Sequence, residues 1–205
     1  MTLQEAKEIR AKQLKYKDWE HLFNSQSKDG LETTFGEVIK IYTESLQIED
    51  INKPILDACC GSKMFWFDKE NPKVLFADIR SEVYTLCDGR PLVVKPDQIH
   101  DFRKMPYPDN SFKMVVLDPP HMKKLGKDTW MAQKYGVLLP TWEDDIRAGM
   151  DECMRVLQPH GTLIFKWNEA QITLNKVLSV INHKPLFGHV TGKHGRTIWL
   201  AFMKF

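Results

Sequence analysis

Three short apolar segments, each ending in an aspartate, constrain the fold of this chain more than any other feature. They are Pro54–Asp57, Val74–Asp78 and Lys113–Asp118. Short apolar segments without polar alternation are typical of strands that are buried on both faces of a parallel sheet. Because the carboxyl ends of parallel strands meet at one edge of the sheet, we expect the three carboxylates to gather there.

The segments around these strands predict an open α/β sheet. From Lys53 onward the pattern is strand, turn, helix and strand, and an alternating stretch around Asp88-Gly89 predicts a hairpin where a doubly wound fold normally has a helix. The later elements are predicted as an amphipathic helix over 142–157, a strand over 162–167, a helix near 170–181 and two strands joined through 188–195. The predicted fold class is α/β and Rossmann-like, mostly parallel with a C-terminal antiparallel hairpin, and with helices on both faces.

The length of 205 residues suits one well-cored domain. Residues 1–50 are predicted as an N-terminal helical segment. Its first twenty-odd residues are predicted to form one helix, which ends at a break over Asn24–Gly30. A capping box at Thr34 and Glu37 predicts the start of a second helix. Residues 51–205 are predicted to form the sheet-bearing core, with residues 121–140 as an insertion on the substrate side.

Composition narrows the function classes. The formal net charge is only +2, so contact with nucleic acid must come from local clusters of charge. No stretch of about 18 apolar residues occurs, and the N-terminus lacks the apolar segment of a signal peptide, so we expect a cytoplasmic protein without membrane contact. The four cysteines lack metal-ligand spacing, and no metal site is predicted.

The turn after the first strand is the candidate cofactor loop. Its small residues let a ligand approach the backbone closely, and Gly61 tolerates a tight turn. The loop lacks the Gly-x-Gly-x-x-Gly spacing of a pyrophosphate site. A carboxylate at Asp57 favours a cationic ligand, such as the ammonium or sulfonium of S-adenosylmethionine. The predicted cofactor-binding residues of this loop are Asp57, Ala58, Cys59, Gly61 and Ser62.

Three further residues are candidates for the nucleoside part of the cofactor. Asp78 is expected to accept hydrogen bonds from ribose hydroxyls, as an acid at this position does in nucleoside-binding α/β folds. Asp101 is a candidate acceptor for the adenine amino group, and Phe102 a candidate apolar face for its ring. The structural alternatives are that Asp57 caps a helix, that Asp78 is a turn acid and that Phe102 belongs to the core.

These motifs occur in the order of a known family. The segment from Ile55 to Trp167 resembles the class I S-adenosylmethionine-dependent methyltransferases. The resemblance includes Ile55–Ser62, the acid Asp78, the stretch Met105–Phe112 before Val115–Asp118, and the passage Met154–Gly161. The chain departs from the family at Cys59-Cys60, where small residues and glycines are more usual. The resemblance implies S-adenosyl-L-methionine as the cofactor.

The segment Asp118-Pro119-Pro120-His121 is the candidate reaction centre. It resembles the Asp/Asn-Pro-Pro-aromatic motif of amino methyltransferases that act on adenine, cytosine or guanine, the DPPY type. By that resemblance, the Asp118 carboxylate and the Pro119 carbonyl accept hydrogen bonds from the target amine and align it with the methyl donor. His121 stands where the family has a ring that stacks on the base. The alternative is a structural Pro-Pro turn after a strand.

Residues after this motif, and at the end of the fifth core strand, are candidates for substrate contact. Cations interleaved with aromatic rings suit phosphate contact and base stacking. The alternatives are a solvated loop with anchoring aromatics, and a surface charge in the case of Lys166. The glycine-rich basic turn Gly188–Arg196 is a further phosphate candidate or a simple hairpin tip. The predicted substrate-binding residues are Lys123, Lys124, Trp130, Tyr135, Lys166, Trp167 and Asn168.

The favoured function is transfer of a methyl group to an exocyclic amino group of a nucleic-acid base, with adenine N6 preferred. DNA and RNA both stay open as substrates, as does a partner protein for target recognition, because no second domain is available to read a recognition sequence. The alternatives are a methyltransferase for a small-molecule or protein amine, and a non-catalytic nucleoside-binding module.

Overall fold

The computed structural model describes residues 3–25, 53–86, 89–123, 129–191 and 195–205. The chain divides into two compact units, Met1–Asp50 and Ile51–Phe205. The break predicted at Asn24–Gly30 falls almost wholly, and the helix predicted from Thr34 entirely, outside the described residues. No helix in the described ranges is both long and apolar enough to span a bilayer.

Residues 3–25, the described part of the first unit, form two short helices instead of the single helix predicted. Helix α1 spans Leu3–Gln13 and helix α2 spans Trp19–Ser25. Lys15 adopts a left-handed conformation (φ 62°), and this geometry ends the first helix. The Asp18 carboxylate then accepts a hydrogen bond from the His21 amide at 2.8 Å, which caps the second helix.

The second unit is built on a seven-stranded sheet in the order β5-β2-β1-β6-β7-β9-β8. Strand β9 is the antiparallel member, and the paired strands from β5 to β7 are parallel. This confirms the predicted mostly parallel α/β sheet with an antiparallel C-terminal edge. The strands of the sheet are β1 Ile55–Asp57, β2 Val74–Asp78, β5 Gln98–Ile99, β6 Phe112–Leu117, β7 Leu157–Asn168, β8 Phe187–Thr191 and β9 Thr197–Met203.

The strand order reverses direction between β1 and β6. From β1 the chain proceeds to β2 and β5 on one side, and then to β6 and β7 on the other. In open α/β sheets, ligands bind in the crevice outside the carboxyl ends of the strands at this reversal. The segments that follow β1 and β6, which begin at Ala58 and Asp118, therefore flank the expected binding crevice.

The two halves of the sheet are covered differently. No helix occurs between β1 and β2, where residues 58–73 are all described, so the helix predicted after the first strand is wrong. Gly61 (φ 49°) and Lys63 (φ 55°) adopt left-handed conformations that interrupt a helix at its start. Strands β3 (Glu82–Thr85) and β4 (Pro91–Val94) pair antiparallel before β5, which confirms the predicted hairpin.

The other half of the sheet has helical crossovers. Helices α3 (Trp130–Tyr135) and α4 (Trp142–Val156) connect β6 to β7, and α5 (Leu174–Leu178) follows β7. The predicted helix over 142–157 is confirmed by α4, and its apolar face is buried in the core as expected. The helix predicted near 170–181 is shorter, since it begins only after Thr173, whose side chain accepts from the Lys176 amide at 3.4 Å.

The C-terminal strands differ from the prediction in extent. Strand β7 begins at Leu157, five residues before the predicted start, because Leu157 already pairs with Phe112 of β6. Gly188 lies inside β8 and not in the turn. A Cβ atom there would lie 2.3 Å from Leu200 Cδ2, so the close packing of the strands requires a glycine.

Candidate functional site

Three carboxylates lie at the carboxyl ends of adjacent strands, as the sequence predicts. Asp57 ends β1, Asp78 ends β2 and Asp118 follows β6. The side chains of Asp57 and Asp78 are almost wholly buried, and that of Asp118 is 16% exposed. The charges of Asp118 and Asp78 both raise the pKa of Asp57, so the three groups form one electrostatic cluster.

Asp57 has no ion pair among the described residues. Its carboxylate accepts a hydrogen bond from the Trp66 indole at 2.7 Å and a weaker one from the Cys59 amide at 3.3 Å. Burial raises the pKa of Asp57 to about 7, and the hydrogen bond from Trp66 opposes that shift. A buried carboxylate without a cationic partner is an electrostatic site for an incoming cation.

Asp78 is linked to the cofactor loop and to helix α3. One carboxylate oxygen accepts from the Gly61 amide at 2.9 Å, and the other accepts from the amide and Nε of Arg80. Arg80 also donates from Nη1 to the Gln133 carbonyl of α3 at 2.8 Å. The sequence analysis missed Arg80; the only available signal was a cation two residues after a strand-ending acid.

Asp101 and Phe102 are both held by helix α4. Although burial opposes it, hydrogen bonding from Arg103 keeps the pKa of Asp101 below its usual value. Arg103 also pairs with Asp145 of α4 at 2.8 Å. Phe102 packs so closely on α4 that a Cβ atom on Gly149 would lie 2.3 Å from its ring. The structural alternative for Phe102, a place in the core, matches its packing, and its cofactor role stays a prediction.

His100 is a buried polar residue that the sequence analysis missed. Its Nε2 lies 3.3 Å from the carbonyl oxygen of Ala58, the first residue of the cofactor loop. Since a carbonyl only accepts, Nε2 carries the hydrogen and Nδ1 is left as a buried acceptor without a partner among the described residues. Burial lowers the pKa of His100 to about 4, so the ring is neutral at pH 7.

Lys166 forms an ion pair with Asp118, and this contact excludes the alternative of an isolated surface charge. Its Nζ lies 2.5 Å from Asp118 Oδ2, and the two side chains are 17% and 16% exposed. The ammonium also lies 5.5 Å from the ring centre of Phe65 and 5.7 Å from that of Trp199. Burial raises the pKa of Asp118, while the charge of Lys166 lowers it.

The Pro-Pro-His segment is packed against the end of helix α3. A Cβ atom on Gly136 would lie 3.0 Å from Pro120 Cγ, and Gly136 has a φ of 72°, so this position requires glycine. The His121 ring lies 5.9 Å from that of Tyr135, centre to centre. Burial lowers the pKa of His121, and a hydrogen bond with the Pro119 backbone opposes this shift. The lowered pKa favours the uncharged form of the His121 ring at neutral pH.

A cavity of about 470 Å³ opens beside Asp118; we call it the acceptor cavity. It brings together six of the predicted residues with the cation Arg196. Its volume lies within the range of small-molecule pockets, and its lining includes aromatic, acidic and basic side chains. The predicted residues that line it are Asp118, His121, Trp130, Tyr135, Lys166 and Asn168.

Two predicted substrate residues, Trp167 and Lys123, do not line this cavity. Trp167 lies in the core, because side chains alternate along β7 and place Phe165 and Trp167 inward while Lys166 faces the cavity. The Lys123 ammonium lies over the Trp142 ring at 4.8 Å. Lys124 is outside the described residues.

A narrow space of about 40 Å³ joins the cofactor loop to the reaction centre. Helix α3 borders this space through Lys134 and Tyr135, and Arg80 lines its other side. Ala58 is buried and does not line it. The predicted residues that meet here are Cys59, Gly61, Ser62, Asp118, Pro119 and His121. Within the described ranges, no group of three or more His, Cys, Asp or Glu side chains could hold a metal ion.

No protein-family model matches the chain, and no curated protein matches its sequence. Among solved structures, it is similar to a SAM-dependent methyltransferase from Methanosarcina mazei (10% identity, 74% of this chain and 92% of that one, TM-score 0.45). It is also similar to a TehB-like SAM-dependent methyltransferase from Corynebacterium glutamicum (14%, 87% and 100%, 0.48). A third is a putative methylase from Haemophilus influenzae (15%, 86% and 98%, 0.43). At these values the likeness assigns no activity.

Proposed function

We propose that this chain is an S-adenosylmethionine-dependent methyltransferase that transfers a methyl group to an exocyclic amino group of a nucleic-acid base, with adenine N6 preferred. One observation carries the proposal: the Asp118 carboxylate borders both the space beside the cofactor loop and the aromatic acceptor cavity. A methyl donor whose methyl group reached this narrow space would meet a planar acceptor in the cavity at Asp118.

The cofactor loop suits a cationic nucleoside. Bound S-adenosylmethionine supplies an electrophilic methyl group on a sulfonium. Asp57 is a buried carboxylate without an ion pair in the described part of the chain, so it would attract this cation. Asp78 would bind the ribose through lone pairs left over from Gly61 and Arg80. The buried Nδ1 of His100 would accept a hydrogen bond from a ligand N–H or from water.

The acceptor cavity suits a planar amine. Lys166 holds Oδ2 of Asp118, so the second carboxylate oxygen would accept a hydrogen bond from the target amino group. The rings of His121, Trp130 and Tyr135 offer stacking surfaces for a base. Catalysis would then come mainly from alignment of the amine with the methyl group. Because Asp118 would contact the target amine, its carboxylate could also accept the proton that the methylated amine releases.

The first test measures cofactor binding and transfer separately. S-adenosylmethionine and its demethylated product should each raise the melting temperature, and failure of both would overturn the cofactor assignment. Labelled methyl transfer should be measured with DNA, RNA and small-amine pools, followed by nucleoside mass spectrometry. We expect N6-methyladenine. Label in protein or in small amines alone would favour the other amine methyltransferases, and binding without transfer to any pool would favour a nucleoside-binding module.

A further inference from the structure

A second concave surface lies on the half of the sheet that lacks helical crossovers; we call it the basic groove. It has a volume of about 630 Å³ and is formed by the end of the cofactor loop with the turn after it, the β3–β4 hairpin, the segment after β4 and Lys134 of α3. None of Asp57, Asp78 and Asp118 lines it. The basic groove therefore shares Gly61 and Ser62 with the cofactor loop but lies apart from the cluster of carboxylates that suits the cofactor.

The basic groove concentrates positive charge. Its lining contains five cationic and two acidic side chains, whereas the whole chain has a net charge of only +2. Asp97, one of the acids, is already paired with Lys53 at 2.7 Å. Glu70, the other, lies 3.9 Å from Lys63. The cations of the lining are Lys63, Lys69, Arg90, Lys95 and Lys134.

Turns and a hairpin form the groove, because this half of the sheet has no helices between its strands in the described residues. The small cluster of Cys60, Val74 and Phe76 packs against Trp66, and the Lys63 ammonium, which lines the groove, lies 4.1 Å from the Phe76 ring centre. Lys69 and Lys95 stand on the rim and are exposed to solvent. Cations placed in this way are accessible to a large anion.

The basic groove continues toward the reaction centre. Met64 lines the groove, the space beside the cofactor loop and the acceptor cavity, and Lys134 lines the first two. A ligand that extends along the groove would therefore pass Met64 and end near Asp118.

We infer that the basic groove binds the phosphate backbone of a single-stranded nucleic acid whose target base enters the acceptor cavity. This inference rests on the proposed function, for which it names the substrate class. Lysine contacts to phosphate are independent of sequence and suit an extended polyanion, whereas a sulfonium cofactor would be repelled. A base must leave a duplex to reach a carboxylate that is only 16% exposed, which favours a single strand.

The test is fluorescence anisotropy with a labelled oligonucleotide, as a single strand and as its duplex, over a range of salt concentrations. The full chain is compared with Lys69→Gln/Lys95→Gln. Each lost phosphate contact should reduce the slope of log affinity against log salt by about 0.7, and the double variant should bind roughly 10-fold more weakly at 0.1 M salt. The matched control is Lys73→Gln/Lys113→Gln, which removes two exposed lysines at the amino ends of β2 and β6.

The outcomes distinguish this inference from the proposed function. Equal weakening in both double variants, or an unchanged salt slope, would overturn the groove assignment, and tighter binding of the duplex would overturn the choice of a single strand. All variants should show the same thermal shift with S-adenosylmethionine. Groove-dependent binding without methyl transfer to any nucleic acid would contradict the proposed function alone, and transfer that is insensitive to Lys69→Gln/Lys95→Gln would contradict the groove alone.

Discussion

Asp57 and Asp118 lie at the carboxyl ends of neighbouring strands and yet differ in their electrostatics. Strands β1 and β6 pair in parallel, and both carboxylates are mostly buried at the same sheet edge. Asp118 has a lysine at 2.5 Å, whereas Asp57 has an indole N–H and a backbone amide. An apolar strand that ends in aspartate therefore does not determine the charge state of that aspartate; the neighbouring elements do.

This difference corresponds to two roles under the proposed function. The charge of Asp118 is stabilised by Lys166, a residue of the chain itself, so Asp118 is prepared for an acceptor before any ligand arrives. The charge of Asp57 is not matched within the described residues, and burial raises its pKa to about 7. An incoming cation would therefore balance the charge of Asp57. The experiments below test this difference between Asp57 and Asp118.

Asp118→Ala should have the largest effect. Transfer should fall by about 100-fold or more, because the aligned acceptor for the target amine is lost, while the affinity for S-adenosylmethionine should change little. Single-turnover rates and calorimetric binding measure the two quantities. Since the variant leaves Lys166 without its carboxylate, Asp118→Ala/Lys166→Met serves as the control for folding. Loss of cofactor binding in a folded variant would contradict the division of roles between the two carboxylates.

Lys166→Met should reduce transfer at pH 7 by between about 10-fold and 100-fold, because Asp118 loses its alignment. Burial raises the pKa of Asp118 and Lys166 opposes that rise. Without the lysine the pKa is higher, so the acidic limb of the rate profile should move to higher pH. Lys166→Arg keeps the charge and should move the limb back. An unchanged limb in Lys166→Met would mean that the ion pair only supports packing.

Cofactor affinity should rise about tenfold between pH 6 and pH 8, because a cation binds the ionised form of Asp57 and its pKa is about 7 in the free protein. Binding at pH 7 should release protons, which calorimetry in buffers of different ionisation enthalpy detects. Asp57→Asn should bind more weakly and without this pH dependence. Proton release that persists in the Asn variant would assign the linkage to another group.

Trp66→Phe should have the smallest effect. It removes the hydrogen bond to Asp57 but keeps a ring that can pack on Phe76, whose centre lies 5.3 Å from that of Trp66. The free energy of unfolding should fall by about 1 kcal/mol, as denaturant titration measures. Because the indole N–H lowers the pKa of Asp57, its loss should move the pH midpoint of cofactor binding upward. A downward movement would contradict the assignment of the linkage to this carboxylate.

Stability should also depend on the protonation of Asp57. Its pKa in the folded chain is above the ordinary value of 3.8, so the protonated form favours the fold. The stability that this contributes is present in full below about pH 4 and is lost as the pH rises through about 7. Asp57→Asn should remove this dependence, which denaturant titrations at several pH values compare with the unmodified chain.

The elements that could be predicted are those with a local pattern. Strand Val74–Asp78 and helix Trp142–Val156 agree with the prediction at nearly every boundary, because their burial follows the periodicity of the residues themselves. The β3–β4 hairpin was predicted from Asp88-Gly89 and its flanking alternation. The helix expected after β1 was wrong, because Gly61 and Lys63 adopt left-handed conformations that interrupt a helix at its start.

The contacts that could not be predicted join residues far apart in the chain. Lys166 lies 48 residues after Asp118, Gln133 lies 53 after Arg80, and His100 lies 42 after Ala58. The side of the sheet that Trp167 faces depends on how β7 pairs with β6 and β9, so its side chain lies in the core although the adjacent Lys166 faces the cavity.

The sequence by itself determined the order of the strands along the chain, the acids at their ends and the rigid Asp-Pro-Pro-His segment, because strand pattern, turn residues and proline geometry act over a few neighbouring residues. Only the tertiary structure decided that Asp118 is paired with Lys166 while Asp57 is not, and that lysines gather in a groove beside the cofactor loop. Burial and charge pairing depend on which distant segments the sheet brings together, and so they determine the state of a carboxylate that the sequence can only locate.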